Sequence, residues 1–197
     1  MAAPLAMRPQ GLRGRLFGVL MEAINAPAYR FALDLIQPGP VGDVLEIGFG
    51  TGRMIEILLA ATTGRVAGVD PTPTMVEVAR ARPAIRRAGA RAALAQGADD
   101  RLDFPPASFD RVVALHSFQF WADPRRTLDR LRTLMRPAGR LVLILRDHSG
   151  RAADWLPNPL SRAPGEAEAA RGLVEDAGFD ASLARRGRML GVIGALP

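Results

Sequence analysis

Apolar residues along this chain follow two alternating rhythms. Short continuous runs of strand length alternate with stretches in which apolar positions recur every three or four residues. The runs VGDVLEIGF, RVAGVD (65–70), ARAALAQGAD (90–99), FDRVVALHSF (109–118) and GRLVLILRD (139–147) predict five strands. Between them, GRMIEILLAAT, TPTMVEVARARPAIRRAG and PRRTLDRLRTLMRP (124–137) predict helices, the second with Thr72 as N-cap and Pro73 in its first turn. GEAEAARGLVEDAGF predicts another helix, and FDASLARR and GRMLGVIGALP predict two last strands joined near Gly187. Ahead of the first strand, Leu12, Leu16, Val19, Leu20, Phe31, Leu33 and Leu35 have helical spacing, and Pro27 predicts a division into two helices. Strands alternating with helices imply an α/β fold with a parallel sheet covered on both faces.

Punctuation sets the outer limits. QPGP (37–40) closes an N-terminal helical cap of residues 1–40, whose first eleven residues read as loose. Residues 41–197 form the main domain. Within it 149–165, rich in Pro, Gly and Ser around Trp155, read as a loop or lid. No run approaches the roughly 20 apolar residues of a membrane helix. LFGVLM (16–21) is too short for a secretory core, so the reading is cytoplasmic with no membrane span.

Composition removes several chemistries. The chain of 197 residues has no cysteine and two histidines, His116 and His148, which excludes thiolate sites and argues against a bound metal. Its net charge is +6, carried entirely by arginine because lysine is absent. Those arginines are spread among Asp, Glu and Ala rather than gathered in a stripe, so nucleic acid is not the expected partner. A small-molecule substrate is, and a homodimer is allowed for.

The chemical signal is VLEIGFGTGR (44–53). A strand that ends in glycines and feeds a helix makes a nucleotide or anion site. A phosphate-gripping loop needs a lysine after its last glycine, and this chain has none. A dinucleotide loop needs G-x-G-x-x-G, and the last of those positions is here Arg53. Glu46, just inside the loop, disfavours a pyrophosphate and suits a cation. Asp70 ends the second strand about 20 residues on, where a carboxylate can take ribose hydroxyls. A positively charged nucleoside without phosphate describes S-adenosylmethionine. Plainer readings stand beside this one. The glycines can be tight turns, Asp70 a helix cap, Met75 core, Asp99 and Asp100 a solvated turn, and His116 a backbone hydrogen-bonder.

VLEIGFGTG, VDPTPTMVEVARAR, and the run from QGADDRLDFPP through ADPRRTLDRLRTLMRPAGRLVL resemble the motifs of class I S-adenosylmethionine-dependent methyltransferases. The similarity is to the small methyltransferase-domain enzymes typified by ubiquinone and menaquinone biosynthesis C-methyltransferases. It covers 44–147 and implies a Rossmann-like doubly wound sheet of seven strands, mostly parallel with an antiparallel last strand and helices on both faces.

Carried over by residue, the resemblance implies that Gly48, Gly50 and Gly52, with Thr51 in the same turn, line the methionine part of the cofactor. Glu46 faces its ammonium or orders the loop. Asp70 holds the ribose, and Pro71 and Met75 pack near the adenine. Asp99 lies by the adenine amino group with the Ala98 backbone beside it. Leu115 and His116 lie beneath the reacting methyl, His116 as the candidate base. The implied reaction is in-line methyl transfer to an apolar, quinone- or phenol-like acceptor, leaving S-adenosylhomocysteine. A non-catalytic cofactor-binding or scaffold subunit and an RNA or protein methyltransferase are the alternatives. Relatives carry Gly-Asp-Ala after the third strand where this chain has Gly97-Ala98-Asp99-Asp100, which leaves open which acid meets the adenine.

Overall fold

The computed structural model describes residues 11–99, 102–146 and 165–197, with side chains from residue 22 onward. Asp100, His148, Trp155, residues 149–164 of the expected lid and the expected loose start at 1–10 lie outside the described residues. The elements are α1 (Gly11–Ile36), β1 (Val44–Ile47), α2 (Arg53–Ala61), β2 (Val66–Asp70), α3 (Pro73–Ala81), α4 (Pro83–Ala88) and β3 (Ala92–Gln96). They continue as β4 (Phe109–Leu115), α5 (Pro124–Leu134), β5 (Met135–Arg146), α6 (Glu166–Asp176), β6 (Asp180–Arg186) and β7 (Met189–Ala195). One seven-stranded sheet runs β3-β2-β1-β4-β5-β7-β6, and β7 alone runs against the direction of the other six strands. Chain order reverses between β1 and β4, which places the switch point beside the glycine turn.

Strand alternation sorts the core into two layers. Leu45, Ile47, Val112, Ala114, Leu141 and Leu143 face α5 and α6 through Leu128, Leu131 and Val174. Val44, Val66, Val113, Val142 and Ile144 face the other way, toward α1, α2 and α3 through Phe31, Ile36, Ile55, Leu58 and Val76. All four β1 residues are buried because helices cover both faces, which is why that strand reads as apolar with one exception, Glu46.

Four local expectations change. First, α1 is a single helix with Pro27 inside it. A proline there costs about 3 kcal/mol. Burial of Ala28, Phe31, Ala32 and Ile36 against the sheet outweighs it, at about 1.5–3 kcal/mol for each large side chain. Second, the helix expected from Thr72 onward breaks at Arg82, which is extended (φ −66°, ψ 131°) because Pro83 follows it. Third, the helix expected over 124–137 ends at Leu134 and β5 starts at Met135. Met135 pairs with Phe109 and Arg140 with Arg111, so the Pro137–Gly139 turn is absorbed as a bulge. Fourth, β3 and β4 are shorter than expected. Gly97–Asp99 leave the sheet, and β4 stops where His116 turns left-handed at φ +55°.

Candidate functional site

Five residues join β1 to α2. Gly48 stands at φ +76°, and a Cβ there would lie 2.4 Å from the Ser117 Cβ, so no side chain fits. Ser117 approaches because its hydroxyl donates to the Ile47 carbonyl at 2.5 Å, tying the ends of β1 and β4 together. Gly50, at φ +52°, has nothing within 4 Å of its missing Cβ. There the turn shows bare backbone to open space.

Asp70 holds that turn. It ends β2, is 5% exposed, and accepts the Gly50 N–H through Oδ2 at 2.8 Å and the Thr72 N–H through Oδ1 at 2.8 Å. The Thr72 side chain also donates to it. Thr72 occupies the N-cap position of α3 without capping the helix with its own hydroxyl. A carboxylate offers about four acceptor positions, so these donors leave about one for a ligand. Burial pushes the Asp70 carboxyl above its ordinary range, partly opposed by the same donors.

These elements enclose a cavity of about 200 Å³. Gly48, Gly50, Asp70 and Pro71 line it from the first two strand ends, Met75 from α3, and Asp99 and His116 from the turns after β3 and β4. Asp99 is braced by the fully buried Thr127 of α5, whose hydroxyl donates to its Oδ2 at 2.9 Å. Ile47, Val69, Thr72, Gly97, Ser117, Phe120 and Trp121 complete the wall. Of these the sequence suggests only Trp121, as a cover for an apolar substrate or as an anchor for the following helix, while Thr72 reads as a cap. The legible clue was Ser117, a small polar residue at a strand end that leaves room for a glycine. Among the described residues that line the cavity there are two carboxylates and no arginine, in a chain with 26 arginines.

Five sequence-picked residues do not line it. Thr51 is buried behind the turn, and Gly52 caps α2 against Ala79. Ala98 is not among the lining residues, and Leu115 joins the apolar layer under α1 and α2. Glu46 lies in the same direction as Val44, toward that layer, and is 2% exposed with Oε2 lacking a hydrogen-bond partner. Burial first, and then the Asp70 carboxylate, push its pKa up to about 8, so at neutral pH it is largely protonated. The Tyr29 hydroxyl of α1 is pushed up as well, by burial and then by Glu46 and Glu22. Among the described residues no cluster of three potential metal ligands occurs, and no helix is long and apolar enough to cross a membrane.

Known proteins resemble this chain in sequence and fold. A family model described as a methyltransferase domain matches residues 45–143. Nocamycin O-methyltransferase of Saccharothrix syringae is 33% identical over 137 residues, covering 68% of this chain and 48% of that protein. Demethylmenaquinone methyltransferase of Deinococcus radiodurans is 33% identical over 102 residues, 51% of this chain and 42% of that protein. The chain thus spans about half the length of the curated relatives it matches. The crystal structure of an S-adenosylmethionine-dependent methyltransferase from Aquifex aeolicus superposes with a TM-score of 0.70 at 18% identity, covering 91% of this chain and 98% of that one.

Proposed function

Because the chain belongs to the class I S-adenosylmethionine-dependent methyltransferases, we propose that it binds S-adenosylmethionine in this cavity and methylates a small-molecule acceptor by in-line displacement. The observation that carries the reading is the lining: two carboxylates, bare glycine backbone and no arginine. That donor set suits a cationic nucleoside and repels a pyrophosphate. The bound cofactor supplies a methyl group already activated on a sulfonium.

What remains for the protein is to hold, orient and keep dry. Asp70 has about one acceptor position left for a ribose hydroxyl, while its other positions keep the glycine turn in shape. Asp99, fixed by Thr127, accepts from an adenine amino group. Met75, Phe120 and Trp121 supply apolar wall. His116, whose backbone N–H donates to the Ile144 carbonyl (2.9 Å) at the end of β4, takes the proton of an acidic acceptor on its imidazole. The names of two relatives, a nocamycin O-methyltransferase and a demethylmenaquinone methyltransferase, support a small-molecule acceptor, in the second case a quinone-class one.

Calorimetry with S-adenosylhomocysteine tests the first half: binding in the micromolar range is expected, and a preference for NADH or ATP sinks the reading. Labelled methyl transfer to a panel of quinols, phenols and amines tests the second. Binding without transfer to any acceptor favours a scaffold role, and transfer confined to RNA or protein replaces the small-molecule reading. For the base, His116→Ala should lower kcat about a hundredfold and remove the acid limb of its pH profile, leaving S-adenosylhomocysteine affinity within about threefold. An unchanged pH profile removes His116 from proton transfer.

A further inference from the structure

Helix α1 is fastened in two different ways on either side of Pro27. From Ala28 onward it is set into the core through Ala28, Phe31, Ala32 and Ile36. Arg186 adds to this hold, lying over the Phe31 ring at 4.9 Å and pairing with Asp34 at 2.7 Å. Between residues 22 and 27 no position is buried. Pro27 has no N–H for the Ala23 carbonyl, which weakens the helix at the point where core anchoring ends.

Among the described side chains of α1 ahead of Pro27, Glu22 makes an ion pair with the body of the protein. Its two carboxylate oxygens meet the two terminal nitrogens of Arg82 at 2.9 and 3.4 Å, a forked pair with both side chains 19% exposed. Arg82 stands at the break between α3 and α4. The same guanidinium reaches Glu56 of α2 at 2.5 Å and the Thr51 carbonyl of the glycine turn at 3.4 Å. Arg53, the first residue of α2, shares Glu56 at 3.1 Å. One side chain therefore ties α1, α2, the α3–α4 break and the backbone of the turn that Asp70 holds from its other side.

We propose that Arg82 is a positioning residue for the cofactor site. Glu22 docks the front of α1 onto Arg82, Arg82 fixes the Thr51 peptide, and this latch sets how well the glycine turn is formed for an adenosyl ligand. The proposal rests on the cofactor reading of the preceding subsection. The front of α1 then acts as a flap hinged at Pro27, and its docking and ligand binding favour each other.

Glu22→Gln tests the latch without touching the cavity, because Glu22 does not line it. The expected result is about five- to twentyfold weaker S-adenosylhomocysteine binding by calorimetry, within the usual range of coupling between sites. In the ligand-free variant, backbone amide exchange at Gly50–Arg53 should quicken while β1 and β4 stay protected. Arg82→Lys, which keeps the charge but loses the fork, should move both readouts the same way. If the wild type binds and Glu22→Gln binds within twofold of it, or if exchange at the turn does not change, the latch is wrong. If the wild type itself binds no S-adenosylhomocysteine, the cofactor reading falls first and the latch with it.

Discussion

Asp70→Asn lowers affinity for S-adenosylhomocysteine by about ten- to a hundredfold. In the native protein the two carboxylate oxygens face two backbone donors, Gly50 N–H and Thr72 N–H, both at 2.8 Å. Asparagine has one acceptor oxygen. Whichever way its amide turns, an NH2 group meets a backbone N–H, and one buried amide loses its partner. Leaving such a group unsatisfied costs about 1–3 kcal/mol. That cost is present with and without ligand, so it appears in stability, and the variant should unfold about 1–3 kcal/mol more easily. Affinity loses the hydrogen bond from the ligand to a charged acceptor, about 1.5–3 kcal/mol, which corresponds to roughly ten- to a hundredfold. Calorimetry and urea unfolding measure the two effects separately. Affinity within threefold of the wild type would mean that Asp70 serves only to shape the turn.

Stability of the wild type should fall between about pH 4.5 and pH 8, and Glu46→Gln should abolish most of that fall. The Glu46 carboxyl has an ordinary value of 4.5 and is pushed up to about 8 in the folded protein. Across that window the folded chain keeps a proton that the unfolded chain has released. Stability therefore decreases as pH rises, and it is level below and above the window. The full span corresponds to at most about 5 kcal/mol, by the conversion of about 1.4 kcal/mol per pKa unit. The charged neighbour acting on Glu46 is Asp70 on β2, and the Tyr29 hydroxyl on α1 feels the Glu46 charge, with Glu22, Arg82 and Arg53 also acting on Tyr29. Asp70 is raised too, and it adds a decline of the same sign to both proteins, so the informative quantity is their difference. Glutamine carries no charge at any pH. It should match the wild type near pH 5 and exceed it by a few kcal/mol above pH 8. Urea melts from pH 5 to 9 give the comparison, and parallel profiles would show that Glu46 is ionised inside the fold.

The two carboxylates flanking the glycine turn look alike in the sequence. In the structure they have separate tasks. Asp70 is satisfied by backbone donors and reaches the cavity. Glu46 points along the opposite face of β1, toward α1, and is kept largely neutral. The motif leaves Glu46 either facing the ammonium or ordering the loop, because it records chain position but not side-chain direction. Alternation along β1 was available as a clue, since Glu46 shares a face with Val44, but which face belongs to which helix is a tertiary fact. Thr127 is a similar case: nothing in PRRTLDRL marks a threonine 28 positions after Asp99 as its brace.

Local sequence was a sound guide wherever local chemistry decides. Apolar runs of strand length between stretches of helical period gave the seven strands and their helices. The glycines of 48–52 marked the turn, and the arginine-only charge with no cysteine narrowed the ligands. These readings depend on the pleat, the helical repeat and the steric freedom of glycine, all of which act over a few residues. Tertiary structure decided the rest. Pro27 stays inside a helix because core burial outweighs its cost. β5 begins at Met135 because Phe109 of a neighbouring strand pairs with it, and Arg82 finds Glu22 60 residues away. Such outcomes balance a local penalty against contacts between distant segments, and that balance exists only once the chain has packed.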